Sequence, residues 1–489
     1  MKTENPSRLL ALLLITVISP ASAQNPVSIV VVPANSSVAL GQTVHLITAG
    51  YFDDGSLRGL AQVETLASGL TRVSRLALDA ADVFWTETAP GNASIKNGSL
   101  KRVAKGGGMP LSVLTGLGWP YGGLVLDDTH AYFTDDWDGT VQKVPKAGGA
   151  ATLLQPGLCC PSGPSVDATH VYFAQYRGDL GQGRVNKIPL GGGALTPLAA
   201  AQIRPTFTAL DATDVYFQDA EVLHGCPRTI RKVPKACGSV STVVTELACL
   251  GDGFVLDESS LYWTVAGAGG EVRRAPKSGG PVTVLASGLN NPNNLKIDGT
   301  FAYWAARGNG GASEGAIQAV PLTGGPVITL ATGLTLPFND LAVDDTHTYW
   351  AEPGISPHVG IGAVKRVAKQ GVGVTWSSSN PAVATIDAAG RATLAGEGTT
   401  TITATFAGVM GQTSLRVVSP VALAIHLYAG VTLTGPVGAQ YRIEYAPSVG
   451  NTNNWQTLTN LTLPASPYVL IDYDSPNASQ RFYRAVRLP

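Results

Sequence analysis

One pattern occurs seven times between residues 61 and 370: an apolar strand ending in Asp, a two- or three-residue turn, then an aromatic strand. The copies read LALDAADVFW, LVLDDTHAYF, SVDATHVYF, TALDATDVYF, FVLDESSLYW, LKIDGTFAYW and LAVDDTHTYW, anchored on Asp79, Asp127, Asp167, Asp211, Asp257, Asp298 and Asp344. A unit of roughly 40 to 48 residues cannot bury its apolar face alone and must stack on its neighbours, and this is the period of a four-stranded propeller blade. After each aromatic strand come a variable segment, a third strand such as GTVQKVPK, a Gly-rich turn such as Lys146-Ala147-Gly148-Gly149, and a fourth strand such as ATLL. We term the four strands a to d.

The a strands are apolar at nearly every position, which predicts that they line the centre of the disc with both faces covered. The Lys and Arg residues of the c strands are expected to occupy a solvated outer position. The last unit, ending in Ala363-Val364-Lys365-Arg366-Val367, lacks a d strand, and the segment Val63 to Ala67 ahead of the first unit has the d pattern. An N-terminal strand can therefore complete the seventh blade and remove both open sheet edges.

A chain of 489 residues exceeds what one hydrophobic core supports, so further domains are expected. With Gly 57 and Pro 32 among many short strand-like runs, and no long helical apolar period after residue 20, the fold class is all-β. Residues 27–60 carry the alternation of three short strands but stop before a sandwich could close. Residues 371–418 supply the remainder. The two pieces together resemble the bacterial immunoglobulin-like group 2 domain, on VALGQTVHL, the turn Asp54-Gly55, Trp376-Ser377-Ser378-Ser379-Asn380-Pro381, Val383-Ala384-Thr385-Ile386-Asp387, Gly390, and Gly396 through Ala404. The resemblance implies a spacer module of surface proteins and brings no catalytic residues. The repeats at 61–370 are similar to the YWTD and NHL-like propeller classes. A seven-bladed β-propeller inserted in a split Ig-like β-sandwich is thus expected, since a closed propeller has adjacent ends. Residues 420–489 read as a small C-terminal β-sandwich whose aromatics, such as Tyr441, Tyr445 and Trp455, pack its core or else form a sugar-stacking platform.

Residues 1–23 pair Lys2 and Arg8 with an apolar run from Leu9 to Ile18 and a small-residue site at Ala21-Ser22-Ala23, the pattern of a signal peptide cleaved after Ala23. The run is about half the ~20 residues of a membrane span, and no other stretch is long enough. A secreted or cell-surface location follows as an expectation. The formal net charge of -1 offers no footprint for nucleic acid.

Among five cysteines, Cys226 in the b-c loop and Cys249 in the d-a loop of one blade share a face and are expected to form a disulfide, with Cys159 and Cys160 on that face as alternative partners. Cys237 replaces a glycine of a c-d turn, roughly 20 Å from Cys226, out of disulfide reach. His130, His170 and His347 recur at one repeat position, as the Asp anchors do, which points to turn structure rather than catalysis. No nucleophile elbow, HExxH, phosphate loop or EF-hand loop is present.

Recognition is better sought where the repeats differ, at the entry to each a strand. Counting back from the anchors gives Ser74-Arg75, Gly122-Gly123, Ser162-Gly163, Thr206-Phe207, Asp252-Gly253, Asn293-Asn294 and Asn339-Asp340 around the channel mouth. Asp252, Asn293, Asn339 and Asp340 form an oxygen-rich set suited to calcium, or else cap loop backbones. Trp119, Tyr121, Trp137 and Tyr176 form an aromatic patch for an extracellular carbohydrate or protein ligand, or else pack between blades. The expected function is a secreted or cell-surface binding protein. The alternative is an extracellular metal-dependent propeller enzyme, lactonase- or lyase-like, which rests on fold analogy.

Overall fold

A computed structural model of the chain describes residues 26–34, 36–88, 96–176, 182–220, 228–246, 250–308, 313–335, 337, 340–353, 362–371, 373–419, 429–447, 454–475 and 481–488. They fall into two units, Met1–Ser419 and Pro420–Pro489.

Seven antiparallel four-stranded arrays in the first unit are the blades of a propeller. In the second blade the strands Gly123–Leu126, His130–Asp135, Thr140–Pro145 and Thr152–Gln155 run in sequence from centre to rim. The seventh departs from this order. Its a to c strands, Leu341–Val343, His347–Glu352 and Gly362–Ala368, take their outer partner from Val63–Leu70, with Val364 opposite Ala67. The ring is therefore closed by the N-terminal strand, as the missing d segment predicts.

Burial follows a different gradient from the expected one. The b strands are the dry layer: Phe301–Ala306 is buried throughout, and Trp85, Trp263, Trp304 and Trp350 are fully enclosed. Several a strands are only half-buried, as in Thr206–Leu210, because one of their faces lines the central channel rather than another sheet, whereas Pro292–Ile297 of blade six is buried over its first four residues. Nor are the c-strand cations simply solvated. Lys143 donates to the carbonyl of Leu190 and Lys187 to that of Lys235, each in the next blade, so their charged ends fasten neighbouring blades.

The two sequence pieces flanking the propeller build one sandwich. Ser36–Ala39 pairs in parallel with Val409–Val418, and Thr43–His45 pairs with Arg391–Leu394. Val31, Val44 and Leu46 from the first piece share a core with Ile402, Ala404, Leu415 and Val417 from the second. The first piece holds five strands rather than three, because turns at Gly41 and near Gly55 split its alternating runs. The sandwich also extends a blade: Leu57–Gly59 lies parallel to Ile328–Leu334, the outer strand of blade six, and covers that edge. A buried polar cluster joins them, where Lys369 and His45 lie 2.5 and 3.6 Å from the Asp298 carboxylate.

The second unit has a pair, Ala429–Leu433 with Tyr468–Asp472, and a three-stranded sheet of Gln456–Thr462, Gln440–Ala446 and Phe482–Arg487. Leu433, Tyr441, Ile443 and Leu463 are its core. Of its expected core aromatics, Tyr445 and Trp455 instead lie beneath Arg481 and Arg484, with the cation 4.2 and 4.3 Å from each ring centroid.

Candidate ligand-binding site at the channel mouth

Each a strand enters the disc through one of seven residues, Arg75, Gly123, Gly163, Phe207, Gly253, Asn294 or Asp340, and all seven line a single cavity of about 140 Å³. In five blades this entry falls on a break in the register of the a-b pair. Such a bulge re-aims a side chain toward the axis. It places Phe207 and Asn294 at φ of 47° and 54°, a region that favours glycine. Gly163 is required where it stands, since a Cβ there would overlap the backbone of Phe207. Of the seven entry residues, Phe207 alone is aromatic, set among three glycines.

The oxygen-rich set divides. Asn294 and Asp340 line the cavity and Asn293 does not, although both asparagines are buried. Asp340 accepts from the amides of Leu76, at 3.1 Å, and Leu341, at 2.8 Å, and lies 3.6 Å from Lys296 Nζ. Asn339 and the side chain of Asp252 lie outside the described residues, as do Cys226 and Cys249. Among the described residues no three His, Cys, Asp or Glu side chains stand together as a metal site.

Beside the mouth lies a groove of about 240 Å³ whose lining includes Arg75, Tyr121, Asp136, Tyr176, Arg204 and Arg228. Buried acids at the ends of b strands hold the neighbouring loops. Asp135 accepts from the amides of Gly118, Trp119 and Asp138, and Asp219 from those of Ile203 and Arg204. These acids went unnoticed in the sequence, although Glu87, Asp135, Asp219 and Glu352 all fall eight residues after an anchor.

Of the aromatic patch, Tyr121 and Tyr176 line the groove; Trp119 and Trp137 do not. Three of the four carry an arginine over one face: Arg72 on Trp119 at 4.9 Å, Arg75 on Tyr121 at 4.9 Å and Arg204 on Tyr176 at 4.6 Å. Trp137 is 60% exposed. Arg75 also donates through Nε to the carbonyl of Tyr121 at 2.8 Å. Arg75 is legible in the sequence as a channel-mouth residue, but the pairing of these arginines with their rings is not, because it depends on which segments the ring brings side by side.

The acidic groups of the groove resist ionisation. Burial, and then the neighbouring Asp135, raise Asp136, with Cys160 and Arg75 acting against them. Burial pushes the Cys160 thiol up to about 12, helped by a hydrogen bond with Cys159, whose Sγ is 3.4 Å away. Cys160 is thus a thiol at neutral pH, and the thiolate that nucleophilic chemistry needs is scarce. The groove combines guanidinium groups, aromatic side chains and hydroxyls.

Comparison with known proteins places part of this architecture. Residues 360–408 match the family described as the intimin immunoglobulin-like domain, so the second sandwich piece is of the bacterial Ig-like kind. No curated protein matches the sequence. Among solved structures, an oligogalacturonate lyase in complex with manganese is 14% identical, covering 68% of this chain and 98% of its own, with a TM-score of 0.50. A nidogen/laminin complex structure gives 18% identity, 49% and 91% coverage, and a TM-score of 0.39. A Mycobacterium tuberculosis puromycin-hydrolyzing peptidase gives 13%, 75% and 63%, and 0.46. At such identities the likeness bears on the fold alone.

Proposed function

We propose that this chain is an exported or cell-surface binding protein that recognises an extracellular carbohydrate or protein ligand through the propeller loops of blades two to four. The observation that carries this reading is the groove beside the channel mouth. Its loops are fixed by buried acids, and its cations are held in place by aromatic rings. Preorganised polar groups in a concave site favour ligand capture because little order remains to be imposed on binding. The Ig-like sandwich, read as a group 2 module of residues 27–60 and 371–418, serves as a spacer, and the match to an intimin domain family supports a surface setting. The test is a glycan array and affinity capture with the mature protein, repeated with Tyr176→Ala and Tyr121→Ala. A ligand retained by the parent and lost by both variants supports the reading; a ligand indifferent to both removes the groove from it.

A second reading, a metal-dependent enzyme, draws on Asn294 and Asp340 at the channel mouth. Of the four residues expected to hold calcium, Asp252, Asn339 and Asp340 would supply hard oxygen donors suited to that ion, while Asn293 does not line the cavity. Calcium titration by calorimetry, with Asp252→Ala and Asp340→Ala, decides it: no calcium heat in the parent ends this reading.

A further inference from the structure

Cys159 and Cys160 are neighbours in the d-a loop that enters blade three, and their Sγ atoms lie 3.4 Å apart. Both are free and only partly buried. The loop is tied down on each side of the pair: the Leu158 amide donates to the carbonyl of Gly139 at 2.9 Å, the Cys160 carbonyl accepts from the Tyr176 amide at 3.4 Å, and Pro161 stands opposite Gln175 in the a-b pair. Cys160 itself takes a φ of 50°, a left-handed conformation that residues other than glycine rarely adopt. A backbone fixed in this way keeps the two sulfurs within the roughly 3–3.5 Å of reacting atoms, so that a bond between them needs no bimolecular encounter.

The third described cysteine, Cys237, lies in the c-d turn between Arg228–Pro234 and Ser241–Glu246, at the opposite ends of the strands from the d-a loops. Cys160 lines the groove, and its thiol donates a hydrogen bond to the Asp136 carboxylate. A bridge between adjacent residues differs from an ordinary disulfide. Their Cα atoms stand about 3.8 Å apart across a trans peptide, against roughly 4.4–6.8 Å in most bridges, so the ring is strained and readily reduced. It also closes no length of chain, and therefore adds no loop-closure stabilisation. Such a pair suits reversible oxidation better than stapling of the fold.

We infer that Cys159 and Cys160 are a redox-modification site, a dithiol in the groove wall that a disulfide oxidant converts reversibly to a vicinal disulfide. Cys159 attacks first, because the Cys160 proton is engaged by Asp136. Its sulfur displaces one half of the oxidant, which leaves as a thiol carrying the Cys159 proton, and a mixed disulfide forms. Cys160 then passes its proton to Asp136 and attacks the Cys159 sulfur, and the second half of the oxidant leaves and takes up that proton. Two protein thiols and one disulfide become one protein disulfide and two thiols; the cysteines lose the two electrons that the oxidant gains. Closing the ring takes the Cys160 proton out of its bond to Asp136, so the two states present different groove walls. The exported setting proposed above is one in which disulfides form and persist, while the reaction itself is independent of what the groove binds.

The experiment incubates the full mature chain with oxidised glutathione, blocks the remaining thiols with iodoacetamide and maps the peptides by mass spectrometry without reduction. Alkylation should be lost at both Cys159 and Cys160, with the peptide that carries them lighter by two hydrogens and joined to no other. Reduced glutathione should restore both thiols, and Cys160→Ser should stop at a glutathione adduct on Cys159. A bridge from either residue to Cys226 or Cys249, thiols that stay open to alkylation in the oxidant, or a bond that reduced glutathione leaves intact overturns the inference. The peptide map of the parent decides among these even where Cys160→Ser fails to fold.

Discussion

Lys105 Nζ lies 2.8 Å from the carboxylate of Asp344, joining the first blade to the seventh across the closure of the ring. The same pair recurs between other neighbours: Lys146 with Asp79, Lys235 with Asp167, Lys277 with Asp211 and Lys369 with Asp298. Each aspartate also accepts from turn amides, and six of the seven accept from a tyrosine hydroxyl five residues on, as Tyr349 donates to Asp344 at 2.9 Å. Replacing the lysine leaves a largely buried carboxylate short of one partner. Lys105→Met should therefore lower stability by about 1–3 kcal/mol, read as a reduced urea midpoint with an unchanged slope.

How much of this network can be read from sequence depends on the range of the interaction. The repeat, the sevenfold count and the closing strand follow from local patterns, and the Asp anchors are recognisable as turn caps because their amide partners are two and three residues away. The lysine partner of Asp167 is 68 residues away, and only the ring geometry brings it there. The signal was nonetheless present, since the residue just after each c strand reads Lys105, Lys146, Leu190, Lys235, Lys277, Leu322 and Lys369. Leu190 and Leu322 pack in apolar clusters instead. The aromatic half of the groove was visible as non-repeat loop residues. The pairing of its arginines with those rings was not, because Arg75 and Tyr121 are neighbours only once two blades are side by side.

Acid should act in two stages. Burial lowers His45 and His347 below their ordinary value of 6.5, with nearby aspartates acting the other way. A histidine with a depressed folded pKa contributes stability that is complete above 6.5 and declines as pH falls below it. The anchors Asp167, Asp211 and Asp344 are opposed by burial, but hydrogen bonds from amides and lysines outweigh it and hold them below 3.8. Their contribution is full above 3.8 and is lost as pH falls further. Melting temperature should show a shallow decline below pH 6.5 and a steep one below about pH 4, and His45→Gln should flatten the first.

Cys237 occupies the left-handed position of its c-d turn with φ 71°, where Gly107, Gly148, Gly192, Gly279 and Gly324 stand in other blades at φ of 88°, 94°, 82°, 83° and 83°. It is exposed and free. A side chain costs about 1–2 kcal/mol in this conformation, and glycine returns part of that as unfolded-state entropy. Cys237→Gly should raise stability by about 0.5–1 kcal/mol in chemical denaturation, and a fall would show that the thiol makes a stabilising contact.

Gly163 bears the opposite expectation. Its φ is 54°, its carbonyl accepts from Thr208 Oγ1 at 2.6 Å, and a Cβ would overlap the Phe207 backbone. The Phe207 ring rests beside Gly253, 3.6 Å from where a Cβ of that glycine would be. Gly163→Ala should therefore cost about 2–4 kcal/mol, combining backbone strain with overpacking. Because Phe207 lines both the channel mouth and the groove, the displacement should also weaken groove ligands. Gly163→Ala that melts with the parent would mean that the rim of the channel yields easily, and the fixed geometry attributed to the groove would no longer hold.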